Sequence, residues 1–435
     1  ITSSTDTVAE TLTLLETWAN TGIFIGSMSF SEASAVDGDG ILQVTRGDKL
    51  TGSYTDPADD YGNESTVADV AYYDVTLVSD TLSSDTTWAL ANSPFLVTGD
   101  VTVPDGMTLT IEPGVEVRFL QGSDDQGTGN QYSSELRIYG SLVAVGTESD
   151  SITFVSNSET PTEEDWHGFT CYSPHVIHLS YVSLRHASSV FRGDLNMQGE
   201  QGDSLRITHS SFRDISNNIF DDYSMHISNG VRAVIEDNRF IGLNRLFSNN
   251  VALYDENAEG TLLKIDGNDF VDCEDELFNE YVYVQDVGAR VLFTNNQSNS
   301  NSQLSFGISS SAENSPEAQV IIRDNQLSGG YISLYGGGQS GFLFKNNTLD
   351  GTYLNVDYVA EALIQDNTIQ NSYGWTAISI NNSNAVVERD TLINNGSGGV
   401  SVYTNFSYSE TIKDTIRYCT ITGNGNSDNE AGIRV

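Results

Sequence analysis

All six histidines of this chain fall within one stretch: His167, His175, His178, His186, His209 and His226. Imidazole titrates near neutral pH and ligates metals, so such a cluster points first to acid–base chemistry or to zinc. None of the spacings matches a zinc signature, which brings three or four ligands together. Carboxylates and guanidinium groups are interleaved with the histidines: Asp194, Asp203, Asp214, Asp221 and Asp222 lie near Arg192, Arg206 and Arg213. Facing carboxylates serve glycoside hydrolysis. Arg213, Asp214 and His186 are the candidates for such a site, although acidic residues are abundant enough for chance pairs, and no catalytic set is assigned.

A second chemistry is calcium binding by loops rich in Asp, Asn and Gly, which supply several hard oxygens within a few residues. The candidate ligands are Asp37 and Asp39 in DGDG, Asp56, Asp59, Asp60 and Glu64 in DPADDYGNE, and Asp124 and Asp125 in GSDDQGTGN. DGDG is not an EF-hand, because Ile41 stands where a third ligand belongs. A third chemistry is aromatic stacking on sugar faces, for which Tyr281, Tyr283, Tyr373 and Trp375 stand in polar surroundings. Sequons occur at Asn63, Asn296, Asn346, Asn381, Asn395 and Asn405. Cys171, Cys273 and Cys419 are far apart and odd in number, which excludes a disulfide scaffold.

The elements that must position these groups are repetitive. A column reads Val182, Ser210, Asn238, Asn268, Asn296, Asn325, Asn347, Asn367, Asp390 and Cys419. Three residues before each stands an apolar residue, from Leu179 and Ile207 to Val387 and Ile416. Two residues after each stands another, from Leu184 and Phe212 to Leu392 and Ile421, with Ser298 the exception. This is the signature of coils stacked about 4.8 Å apart. The Asn column is expected at a corner, where its amide bonds to the next coil and its tolerance of left-handed backbone suits the bend. In this alignment Arg185 shares a column with Arg213, and His186 shares one with Asp214 and Asp272. The coils shorten between Asn325 and Asp390, so the extra residues of the longer coils are expected in loops on one side, with any lateral groove over residues 180–320.

Residues 1–80 follow a different pattern: short apolar segments at Thr11–Glu16, Ile23–Phe30, Ile41–Thr45, Leu50–Tyr54 and Thr66–Tyr73, separated by Gly-, Asp- and Pro-containing turns. On ETLTLLETWANTGIFIGSM, ILQVTRGDKLTGSYTD and STVADVAYYD this region resembles an Ig-like module of very large bacterial surface proteins. The resemblance implies tandem extracellular display. From WALANSPFLVTGDVTVPDGMTLTIEPGVEVRFL through LRIYGSLVAVGTESDSITFVS to DWHGF, the chain resembles the opening coils of right-handed parallel β-helix proteins, the pectate-lyase-like solenoids of secreted families. That family includes polysaccharide lyases and glycosidases, which makes a carbohydrate-active enzyme the alternative reading.

Composition narrows the class. Among 435 residues, 60 are acidic and 19 basic, a formal net charge of -41, which excludes unaided binding to a nucleic-acid backbone. No apolar run is long enough to span a bilayer. The N-terminus has no leader pattern, and the final EAGIRV reads as a strand without a polar cap, so a processed chain or a fragment is expected. The sequence therefore predicts an all-β protein, with an Ig-like β-sandwich over 1–80 and a right-handed parallel β-helix of roughly 13 coils over 81–435. The expected role is an extracellular or cell-surface structural or adhesive segment, with structural calcium. Its expected partners are other copies of itself in a filament, neighbouring modules, or a polysaccharide.

Overall fold

The structure is a computed structural model. It describes residues 1–19, 21–57, 62–123, 133–197, 204–222, 225–255, 260–273, 276–286, 288–300, 302, 304–310, 318–336, 341–404, 413–425 and 432–435. Strand dominates, and among the described residues the helical structure is a single 3-10 turn at Leu90–Asn92. The chain divides into two compact units, residues 1–77 with 91–96 and residues 78–90 with 97–435.

In the first unit, Thr2–Ser3, Lys49–Asp56 and Ser65–Tyr72 form a three-stranded antiparallel sheet. Leu15–Glu16 pairs with Phe24–Ile25, and Ser29–Ser31 runs parallel to Ile41–Gln43. The segments expected at Thr11–Glu16 and Ile23–Phe30 are thus realised only in fragments. The cause is visible in their side chains: Leu15, Trp18, Ile23, Phe24 and Ile25 remain exposed, so their apolar character does not fix a ladder. Leu42 and Val44 are the buried apolar centre, and buried polar groups tie the turns around it. Asp48 accepts from the amides of Thr5 (3.2 Å) and Thr45 (2.9 Å), and Glu10 accepts from Gly38 (2.6 Å) and Gly40 (2.9 Å).

The second unit has the stacked parallel ladders of a β-helix. Thirteen parallel strands, from Thr86–Trp88 to Thr415–Arg417, make the first sheet. A second ladder runs from Glu116–Phe119 to Thr420–Thr422, and a third from Phe95–Val103 to Ile433–Arg434. The first sheet sets Leu179, Ile207, Ile235, Ile265, Phe293, Ile322, Phe344, Ile364, Val387 and Ile416 in direct register. The second aligns Leu184, Phe212, Phe240 and Phe270, the last three stacked at 5.4 and 5.3 Å. A strand lying between two others buries one face in the narrow core, so a run of like apolar residues at the coil period is enough to specify the stack.

The longer coils spend residues on strand rather than on loops alone. Asn218–Asp222 and Met225–Ser228 occupy the third side as two strands, as do Arg245–Phe247 and Val251–Tyr254. Parallel pairing with the next coil satisfies backbone groups that a loop would leave to water.

At the corner between the first and second ladders, the polar column forms a hydrogen-bonded ladder. Ser210 N donates to Asn238 Oδ1, and from Asn238 to Asn367 each Asn gives both its backbone N–H and its Nδ2 to the carboxamide or carboxylate oxygen of the next coil, at 2.8–3.2 Å. Each Nδ2 also reaches back to a carbonyl of the preceding coil, as Asn268 does to Ile235 O (2.9 Å). The left-handed residue is the one before the column, not the Asn itself: Tyr181, His209, Asp237, Gly267, Asn295, Asp324, Asn346, Asp366, Arg389 and Tyr418 all have positive φ. The bend and the ladder are thus carried by adjacent residues. A second, shorter ladder closes the next corner, where Ser372 N donates to Asn395 Oδ1 (3.1 Å) and Asn395 N to Asn424 Oδ1 (2.9 Å).

Gly267 is the one glycine in the left-handed column of the main corner. Its φ is +67°, and a Cβ there would lie 2.3 Å from Asp237 Oδ1. Gly267→Ala is expected to cost about 1–2 kcal/mol, read as a lower melting temperature, because strain and contact add.

Candidate functional site

The candidates of the sequence go to different places. His186 and Asp214 occupy left-handed corner positions on successive coils (φ 64° and 56°), with His186 Nε2 3.8 Å from Asp214 Oδ2. Burial lowers the His186 pKa despite the Asp214 charge. Arg213 Nε lies 3.8 Å from the same carboxylate, and Arg213 pairs in register with Arg185. The other histidines diverge. His175 bonds Asp105 (2.7 Å), and this bond lowers the Asp105 pKa. His178 faces Arg206 across the first sheet, His209 stacks on Tyr181 (4.8 Å), and His226 meets the edge of Tyr254 (5.7 Å). Among the described residues no three His, Cys, Asp or Glu converge as metal ligands.

Of the calcium candidates, Asp59, Asp60, Asp124 and Asp125 lie outside the described residues, as does Asp203. Asp37, Asp56 and Glu64 lie on the partly or fully exposed surface of the first unit. Asp39 caps its own turn, accepting from Ile41 N (2.8 Å) and Gln43 Nε2 (3.3 Å). The DGDG loop turns its Gly38 and Gly40 amides to Glu10, so it offers donors there rather than cation ligands. Two of the sequons, Asn296 and Asn395, are fully buried in the corner ladders. Cys171 and Cys273 are buried and Cys419 is half-buried, and burial pushes Cys273 up to about 11.

A charged constellation among the described residues lies earlier than the sequence suggested, on the outward face of the third ladder. There Arg137, Thr170, Arg192 and Asp221 are in register on four successive coils. Arg137 is buried and bridges Glu135 Oε1 (2.6 Å) and Asp100 Oδ2 (2.7 Å). Burial works against its charge, but Glu135 and Asp100 more than offset this and hold its pKa above the ordinary value. Glu135 also accepts from Thr170 Oγ1 and stands 3.9 Å from His167 Nε2. His167 Nδ1 is 3.3 Å from Arg192 Nη1, and Arg192 Nη2 is 3.6 Å from Asp221 Oδ2. Beside this chain Tyr139 and Tyr172 stack at 4.3 Å, and burial, then Tyr139 and Glu135, raise the Tyr172 pKa. Of the acid and arginine candidates, the structure thus brings Arg192 and Asp221 together here, as it does Arg213 and Asp214 at the corner. Asp100, Glu135, Arg137 and Tyr172 were not singled out in the sequence.

The charges of this cluster neutralise one another side by side. Arg137 donates to one Glu135 oxygen and Thr170 to the other, so the cluster ties neighbouring coils together on this face.

The same ladder changes character farther along. Its outward positions over Tyr331–Gly336, Tyr353–Asp357, Thr376–Asn381 and Gly398–Tyr403 carry aromatic rings and small polar groups. Tyr331, Tyr353 and Trp375 stack one on another at 5.8 and 5.1 Å. Beside them Asn381 Nδ2 donates to Asn355 Oδ1 (3.1 Å), and Asn355 Nδ2 donates to Asp357 Oδ2 (2.5 Å). Neither a family model nor a curated protein sequence matches this chain.

Proposed function

We infer that the chain is an extracellular structural and adhesive segment, in which an Ig-like module precedes a right-handed β-helix that serves as a rigid support rather than as an enzyme. The observation that carries this reading is the corner ladder from Ser210 to Asp390, in which buried carboxamides join each coil to the next in addition to the backbone ladders. Stability in such a stack is a sum of coil and neighbour terms, and a hydrogen-bonded column strengthens every neighbour term. The internal pairing of Arg137, Glu135 and Asp100 supports the same reading. Calcium enters it as a structural ion of acidic loops other than the DGDG turn, whose amides face Glu10. The partners are other copies, neighbouring modules or a polysaccharide surface.

Pulling single molecules along the coil axis tests the reading. The expected trace loses coils in discrete steps, each matching one or more coils of 20–37 residues in the register. Extension with no more resistance than an unfolded chain offers would overturn it.

A further inference from the structure

We propose that the aromatic and amide lane on the outward face of the third ladder, over coils 331–403, is a binding site for a neutral glycan chain. This deepens the adhesive reading and rests on it. A sugar ring has an apolar C–H face and a rim of hydroxyls, so it needs an aromatic plane beside fixed hydrogen-bonding groups. Both are present here, and the lane is built from strands, which hold them rigidly.

The aromatic plane is Trp375. One of its faces rests on Tyr353, which rests in turn on Tyr331. The stack then stops. Thr376 pairs with Gly398, and Ser397 N donates to Trp375 O, so the next coil brings Ser397 and Gly398 into line rather than another ring. The indole is 58% exposed, which gives a pyranose room to stack on it. The polar rim is the row Asn381–Asn355–Asp357, whose mutual hydrogen bonds fix each amide before a ligand arrives. A pyranose stacked on the indole lies parallel to it, and the rings succeed one another along the coil axis, so a glycan bound there runs across the coils rather than along their axis. Asp357 and the net charge of -41 repel uronates and sulfated sugars, which selects neutral chains.

The test is titration of the full chain with six-unit neutral hexose and pentose oligosaccharides, with hexagalacturonate as the anionic counterpart. At least one neutral oligosaccharide is expected to bind, and hexagalacturonate is not. Trp375→Ala is expected to weaken binding ten-fold or more, and Asn355→Ala several-fold. Tyr373→Ala, at a 91% exposed ring outside the stack, is expected to bind as the parent does. Circular dichroism melts confirm that the variants are folded, and Trp375 is exposed enough for its loss to leave the melt in place. Absence of binding at millimolar oligosaccharide, preference for hexagalacturonate, or undiminished binding by Trp375→Ala overturns the proposal. Those outcomes leave the supporting role of the β-helix standing, whereas weak resistance to pulling removes that role whatever the lane binds.

Discussion

Asn296→Ala lowers stability by about 4 kcal/mol, because one buried side chain serves three coils. Asn296 Oδ1 accepts from Asn268 N and Asn268 Nδ2, both at 3.0 Å. Its Nδ2 donates to Ile265 O (2.9 Å) and Asn325 Oδ1 (3.1 Å). Alanine strips the partner from two buried donors and a buried carbonyl at once, and each orphan costs about 1–3 kcal/mol. Because coupling is between neighbours, the loss concentrates in the coils on either side. Hydrogen exchange of the Asn268 amide reads it directly, as a rate increase far larger than at Asn395 in the other corner. Asn346→Ala is the contrast. Asn346 is exposed, has φ 55° and donates to Asp324 Oδ1 (3.1 Å), so its replacement costs about 1 kcal/mol through backbone strain. Equal losses at the two positions would mean that the buried ladder does not stabilise the stack.

Asp390→Asn raises stability at neutral pH by about 3 kcal/mol. Asp390 occupies an Asn position of the ladder and is fully buried. Its Oδ1 accepts from Asn367 N and Nδ2, both at 2.8 Å, while its Oδ2 has no hydrogen-bond partner. In the preceding coils the corresponding group is an Nδ2 that donates to a carbonyl, as Asn367 does to Phe344 O (3.1 Å). A carboxylate cannot donate there, but a protonated carboxyl group can. Burial accordingly raises the Asp390 pKa from 3.8 to about 6, with the Asp366 charge adding to the rise and Asn367 and Arg389 opposing it. The sign follows from proton counts. Between pH 4 and pH 6 the folded chain keeps a proton that the unfolded chain has lost, so stability falls as pH rises through this window. Below about pH 4 both states are protonated and the penalty vanishes. The gain from Asn is therefore full above pH 6 and shrinks toward zero near pH 4, measured as the difference between parent and variant denaturation curves. A gain that did not change with pH would exclude ionisation of Asp390 as its source.

These two residues also mark how far the sequence could be read. The Asn column and its flanking apolar columns were legible because stacking repeats the same inward positions every 20–30 residues, and the register of Leu179 through Ile416 follows that alignment residue by residue. The pairing of Arg185 with Arg213 was legible for the same reason. The division of labour at the corner was not. In Asn346–Asn347 two identical residues take opposite roles, one left-handed and exposed, one buried in the ladder, and type alone does not say which is which. Asp100, Glu135, Arg137 and Tyr172 were hidden differently. They come from coils before the recognisable column begins, and their meeting depends on the register of Leu136 against Phe169 and of Val101 against Leu136. The aromatic stack was half legible: Trp375 stood out by composition, but Tyr331 and Tyr353 look like ordinary strand residues until the coils are superposed. In the first unit, apolar segments such as Ile23–Phe30 carried no repeat to fix their pairing, and there the sequence pattern overstated the strands.

The central claim is that the β-helix supports and binds without turning over a substrate. It is tested most directly by incubating the full chain with neutral and acidic polysaccharides, with and without calcium, and following new chain ends by mass spectrometry. The account predicts unchanged chain lengths under every condition. New reducing ends or unsaturated sugar ends that disappear in Glu135→Gln or Arg137→Lys would contradict it and turn the paired charges on the third ladder into an active site.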